Sequence, residues 1–265
     1  MLDTVVAIGR LVAGVAGLGL LVLGYRVWRR HERSTGQTFA ELLAVVGVAG
    51  LCSALLPHST IVYKLIWLYA FLGIPVVFAR FSFDYYGLEY PSPRFAWATL
   101  PAVVAGIAGT LLLLVDPSFA PGVMGRVTLP EAGLELARAV RDVGMYYSSG
   151  LMLVALGLVI RSVLHYEHLE QGLGVSLAFV GGWAWIAYVI SPELVGTIGR
   201  RGTLLVIAGC YGTSLAAGLL AYRRYDVLDA APAASNAAPE RVLDAIEDAV
   251  VVVTEDHRIL RLNDA

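Results

Sequence analysis

VVAIGRLVAGVAGLGLLVLGYRVW, residues 5–28, carries only two charged side chains, Arg10 and Arg26. A helix that crosses a bilayer needs about 20 consecutive, mostly apolar residues, and this run exceeds that length. It is too long for a cleaved leader, and its basic cluster, Arg26, Arg29, Arg30 and Arg33, follows the apolar run instead of preceding it. Working outward, six more runs have the same texture: Phe39–Leu56, Ile61–Phe81, Phe95–Val115, Gly144–Ile160, Gly172–Ile190 and Gly202–Tyr222. Helices satisfy their own backbone polar groups, as a hydrocarbon solvent demands. The expected fold is therefore an all-α membrane protein, a seven-transmembrane helix bundle over residues 1–225. Small residues such as Gly14, Gly17 and Gly19, or Gly209 and Gly212, allow helices to approach closely within it.

Composition agrees. The 265 residues are 58% hydrophobic and 15% charged, against about 25% charged in soluble domains. This disfavours a soluble enzyme, a disordered tail and a nucleic-acid binder. Cys52 and Cys210 are the only cysteines, and both sit in apolar runs, which excludes a disulfide scaffold. The net charge of −2 conceals a division: residues 1–225 carry +4 and residues 226–265 carry −6.

Basic residues set the orientation. Arg26, Arg29, Arg30, Arg33, Arg80, Arg94, Arg161, Arg223 and Arg224 fall on one side, nine in all, against six on the other: Lys64, Arg126, Arg138, Arg141, Arg200 and Arg201. Cytoplasmic loops hold the excess of Lys and Arg. The expected topology is a multi-pass protein of the plasma membrane, N-terminus outside and C-terminus cytoplasmic. Trp28, Tyr85, Tyr86, Tyr146, Tyr147 and Tyr222 are expected as interface aromatics.

After Tyr225 the texture changes. Residues 226–239 are Ala-rich with Pro232 and Pro239 and read as a linker. Val242, Leu243 and Ile246 then share a helical face. Ala249–Thr254 suits a buried strand, Glu255–Arg258 a polar turn, and Ile259, Leu260 and Leu262 a second strand. A helix and one hairpin cannot bury a stable core alone, so further chain or a partner is expected to cover this piece.

Seven helices, then Tyr222-Arg223-Arg224-Tyr225-Asp226-Val227-Leu228-Asp229, then Val242-Leu243-Asp244-Ala245-Ile246-Glu247-Asp248-Ala249-Val250, and finally Arg258-Ile259-Leu260-Arg261-Leu262-Asn263: this order resembles the N-terminal seven-helix sensor region of prokaryotic histidine kinases, running into a PAS domain. Tyr85-Tyr86-Gly87 is similar to that family's segment after the third helix. The resemblance implies a truncated α/β PAS start over residues 240–265, with Asn263 in a PAS motif. It also implies a two-component signalling role, a homodimer formed through the cytoplasmic part, and a downstream response regulator as partner of the parent kinase.

The chain shows no catalytic apparatus of its own. A retinal Schiff base requires a lysine buried in the last helix, and Lys64, the only lysine, lies at the end of the third span. His165 and His168 share a helix face at spacing i, i+3, but a metal would need further ligands from elsewhere. No catalytic triad, Walker loop or dinucleotide fingerprint is present. No catalytic residue, metal or cofactor is expected in this chain.

What remains are polar residues toward the outer side. Arg10 lies inside span one, where a charge is costly and often functional. His58, Lys64, Asp116, Asp142 and Glu193 lie at the outer ends of other spans. Together they are candidates for a pocket that takes a small-molecule or lipid ligand. Glu131–Val143 reads as a short amphipathic helix lying on or capping the bundle. Tyr222, Arg223, Arg224, Tyr225 and Pro232 are the candidates for passing a signal out of the membrane. The alternative function is a small-solute transporter or channel, disfavoured because the sequence has no internal repeat and almost no charge in the central thirds of its spans.

Overall fold

A computed structural model of the chain describes residues 2–30, 34–56, 61–86, 94–115, 130–165, 171–224, 251–253 and 259–262. Seven α-helices follow one another: α1 (Leu2–Arg30), α2 (Ser34–Leu55), α3 (Ile61–Tyr86), α4 (Arg94–Val115), α5 (Glu131–His165), α6 (Gln171–Ala178) and α7 (Ala184–Arg223). A π-helical turn, Phe179–Trp183, joins α6 to α7. Among the described residues, five segments are long and apolar enough to cross a membrane: Thr4–Arg30, Thr35–Leu55, Ile61–Tyr85, Glu131–Arg161 and Arg201–Arg223. Thr99–Val115 and Gly174–Ile190 are apolar but shorter. Large apolar side chains also cover the outside, among them Leu11, Val15, Leu18, Val103, Ile107 and Leu153. Aqueous monomers rarely expose such continuous apolar faces, and a hydrocarbon solvent removes their cost.

Helix order in space departs from chain order at α4, which α3 passes to reach α5. α2 packs between α1 and α3, α3 packs on α5 and α4, and α7 closes against α1. The α1–α2 contact is set by glycine: a Cβ on Gly17 would lie 2.6 Å from the Leu51 amide nitrogen and 2.7 Å from the Gly47 carbonyl oxygen. The two backbones therefore touch where the sequence places small residues. Gly14 faces Ala54 and Gly19 faces Leu215 in the same way, whereas Gly209 meets nothing within 4 Å.

Two elements differ from the sequence expectation. Glu131–Val143 is not a separate amphipathic helix. It is continuous with the following apolar run in the 35-residue α5, because Gly144 at the junction stays helical and packs against Ala105 and Pro101 of α4. The second difference is in α7, where Gly199, at φ 72° and ψ 170°, reverses the chain. That backbone region is essentially restricted to glycine. The reversal places Tyr188 beside Tyr211 and Phe179 beside Ser214, an antiparallel pairing of 184–198 with the returning leg.

The returning leg runs parallel to α1: Gly9 lies at Leu204 and Leu205, Gly19 at Leu215, and Gly218 at Leu20 and Leu23. Arg223 therefore ends up at the same end of the bundle as Arg30. Lys64, at the start of α3, is at the opposite end. After the bundle, β1 (Val251–Val253) and β2 (Ile259–Leu262) form an antiparallel pair, with Val251 opposite Leu262 and Val252 opposite Arg261. These are the two strands expected from the sequence. The helix expected over 240–247 lies outside the described residues.

Candidate functional site

A cavity of about 540 Å³ opens between α3, α4 and α5 at the Lys64 end. Its rim is charged: Lys64 from the first turn of α3, and Arg141 and Asp142 from α5. One turn deeper the walls are apolar, with Trp67 and Leu68 below Lys64, Met145 below Asp142, and Leu113 and Gly109 from the last turns of α4. Gly109 keeps one wall open, since a Cβ there would lie 2.5 Å from Leu68 Cδ2. Helical spacing explains the layering. Residues three or four apart stack on one face, so Lys64 lies over Trp67 and Leu68, and Arg141 over Met145.

Arg141 and Asp142 form an ion pair: Nε and Nη2 lie 2.8 and 2.7 Å from the same carboxylate oxygen. Arg141 is the more buried partner, with 17% of its side chain exposed against 49% for Asp142. The rim thus carries the Arg141–Asp142 ion pair and the Lys64 ammonium. This arrangement suits recognition of an amphipathic molecule.

Midway down the bundle α3 contains Pro75, which has no N–H to bond the Phe71 carbonyl and whose ring disturbs the preceding turn. A side chain from a neighbouring helix supplies the missing donor. Trp185 Nε1 donates to the Phe71 carbonyl at 3.2 Å, and Ser148 Oγ donates to the Leu72 carbonyl at 3.4 Å. The π-turn at Phe179–Trp183 lies against the same kink, with Gly181 against the Phe78 ring, and Ser214 donates to the Phe179 carbonyl at 3.1 Å. Two helix irregularities therefore face each other, and each is bridged by a side chain from another span. π-turns of this kind recur at functional sites.

A second buried polar group lies in the layer toward the Lys64 end. The Tyr188 and Tyr211 hydroxyls hydrogen-bond across the α7 reversal. The Ser53 hydroxyl of α2 interacts with both phenols and with Tyr63 of α3, while donating to the Ala49 carbonyl at 2.9 Å. Three helices are tied here by hydroxyls in an apolar interior.

The structure brings Lys64 and Asp142 into one pocket and adds Arg141, which the sequence reading placed in the orientation count and on the amphipathic stretch 131–143. Arg10 is elsewhere, on α1, which packs against α2 and α7. It is half-buried, and its Nε is buried without a hydrogen-bond partner among the described residues. Glu193 falls within α7. His58 and Asp116 lie outside the described residues, as do His168, Tyr225, Pro232 and Asn263. Tyr222 is half-buried, and Arg223 and Arg224 are exposed. Tyr85, expected at an interface, is buried and packs its ring on Phe81. No group of three or more potential metal ligands occurs among the described residues.

The buried tyrosines had a usable signal in the sequence. Tyr188 and Tyr211 are equally spaced about Gly199, to within one residue, but this becomes visible only once the reversal is placed at that glycine. Comparison of the chain with known protein families, curated proteins and solved structures finds no match.

Proposed function

We propose that the chain is the sensor module of a membrane-bound signalling histidine kinase. In this reading the five long and two shorter apolar segments all cross the plasma membrane, seven spans in total, with the N-terminus outside and the C-terminus cytoplasmic. The Arg26–Arg33 cluster supports that orientation. Residues 240–265 begin a PAS domain, and output passes through a dimeric kinase to a response regulator.

The observation that carries the reading is positional. The pocket lined by Lys64, Asp142 and Arg141 opens at one end of the bundle, and the chain leaves the bundle at the other end, through Arg223 and Arg224. A receptor needs a binding place and an exit at opposite ends. The stretch from Tyr222 to Asn263, whose sequence resembles the junction in such kinases, follows that exit in the chain.

The test is phosphoryl incorporation in proteoliposomes. The complete protein that contains this chain is expected to take label from ATP onto histidine, and the 265-residue chain alone to take none. Saturable solute flux driven by the bundle alone, with no phosphorylation by the complete protein, would replace the receptor by a transporter.

A further inference from the structure

We propose that the π-turn at Phe179–Trp183 is a two-state joint: its surplus residue moves along α7 past Trp185, and this exchange couples the α3 wall of the pocket to the returning leg. The inference gives the receptor proposed above its means of transmission and rests on that reading for its output.

The turn stands between the two places that a receptor must connect. On the pocket side, Trp67 lines the cavity, its ring lies against the Phe71 ring, and Phe71 lies against Trp185. The Trp185 indole also donates to the Phe71 carbonyl, which Pro75 leaves without an amide. On the exit side, Ser214 belongs to the leg that ends at Arg223. It donates to the carbonyl of Phe179, the first residue of the π-turn. A displacement of α3 and a displacement of the leg therefore bear on the same five residues.

A π-turn closes i→i+5 rings and so holds one residue more than an α-helical turn. When that surplus passes a residue, the residue moves by one helical step, about 100° around the axis and about 1.5 Å along it. Trp185 lies two residues beyond the turn, so the step carries its indole off the Phe71 carbonyl. A buried carbonyl that loses its donor is costly, so α3 must readjust around Pro75 in the same event. One element with two arrangements, biased from both sides, is what coupling between distant sites requires. Gly181 and Gly182 keep the exchange within reach. Glycine is a poor former of the α-helix, and the bare Cβ position of Gly181 admits the Phe78 ring of α3 to 2.9 Å.

The test is fluorine NMR of the 265-residue chain in phosphatidylcholine nanodiscs, with fluorotryptophan placed at residue 185 alone by nonsense suppression. The wild type is expected to exchange between two environments, seen as two resonances or as relaxation dispersion of one. Ser214→Ala is expected to raise the minor population about tenfold, the size of one hydrogen bond. Deletion of Gly182 removes the surplus residue while both flanks keep their register, and is expected to leave the major resonance alone, without exchange.

A single wild-type resonance without dispersion overturns the proposal. So do populations that Ser214→Ala leaves unchanged, and so does exchange that persists in a folded Gly182 deletion. If the deletion does not fold, the Ser214→Ala populations decide. Histidine phosphorylation from ATP by the complete protein separates the two claims. Exchange at Trp185 with no phosphorylation leaves the joint standing and ends the receptor reading. A wild type without exchange but with phosphorylation ends the joint and leaves the receptor.

Discussion

Trp185 donates its indole N–H to the carbonyl of Phe71 across 3.2 Å. Within α3 that carbonyl would belong to the residue four positions on, which is Pro75 and has no N–H to give. In hydrocarbon no water replaces the lost donor. A tryptophan from α7 therefore completes the hydrogen bonding of α3, and the Phe71 ring lies tilted against both the Trp67 and the Trp185 ring, each with its centroid 5.6 Å away.

Trp185→Phe is expected to lower stability by about 1–2 kcal/mol, the loss of a donor to a buried carbonyl. Pro75→Ala restores an N–H within α3, so the double variant should recover part of that loss. Thermal unfolding of the four proteins in detergent measures the coupling. Strictly additive effects would mean that the indole does not serve the carbonyl freed by Pro75.

Gly199 sits at φ 72° with open space around its Cβ position, so any effect of substitution there is backbone strain. Gly199→Ala is expected to cost about 1–3 kcal/mol, whereas Gly196→Ala, also in open space but without a positive φ, is expected to be neutral or stabilising by up to about 1 kcal/mol. Equal melting temperatures for the two variants would contradict a reversal at Gly199.

Tyr188 and Tyr211 share one hydrogen bond in a fully buried setting. Tyr211→Phe takes one partner from the Tyr188 hydroxyl, which keeps its interaction with Ser53, and is expected to cost about 1 kcal/mol. With that shared bond already gone, adding Tyr188→Phe is expected to cost less than Tyr188→Phe does alone. A double variant that loses the sum of both single effects would place the hydroxyls in independent environments.

Cysteine labelling tests the orientation, in a background with Cys52 and Cys210 replaced by Ala. An impermeant reagent outside the cell is expected to reach a cysteine placed at Ser118 and not one at Ser235. The opposite pattern would invert the topology argued from Arg26, Arg29, Arg30 and Arg33.

The apolar runs, the Gly17 contact and the two strands were legible in the sequence because each depends on local pattern: run length, small residues, β-branched clustering. Lys64 and Asp142 were legible as polar residues near the ends of apolar runs for the same reason. Arg141 was visible as a positive charge on the amphipathic stretch 131–143 and not as a pocket residue, since its place there comes from α5 continuing unbroken through Gly144, which packs against Ala105 of α4. Pro75 and Trp185 lie far apart in the chain, and no periodicity connects a proline in one helix with an indole in another. Arg10 shows the opposite case: a charge in an apolar run stands out in sequence, while its distance from the α3–α5 pocket is a matter of helix order in space.

The central claim is that output leaves the bundle mechanically through the returning leg that ends at Arg223. Two states related by a small shift of that leg can be biased by a ligand only through its differential affinity for them. The direct measurement is stimulus-dependent phosphorylation by the complete protein after insertion of a Gly/Ser segment of about ten residues, a flexible coil, between Ala230 and Ala238. The account predicts that the insertion abolishes the response while the melting temperature of the bundle stays unchanged. A response of undiminished size would contradict it and would place the coupling in the cytoplasmic loops instead.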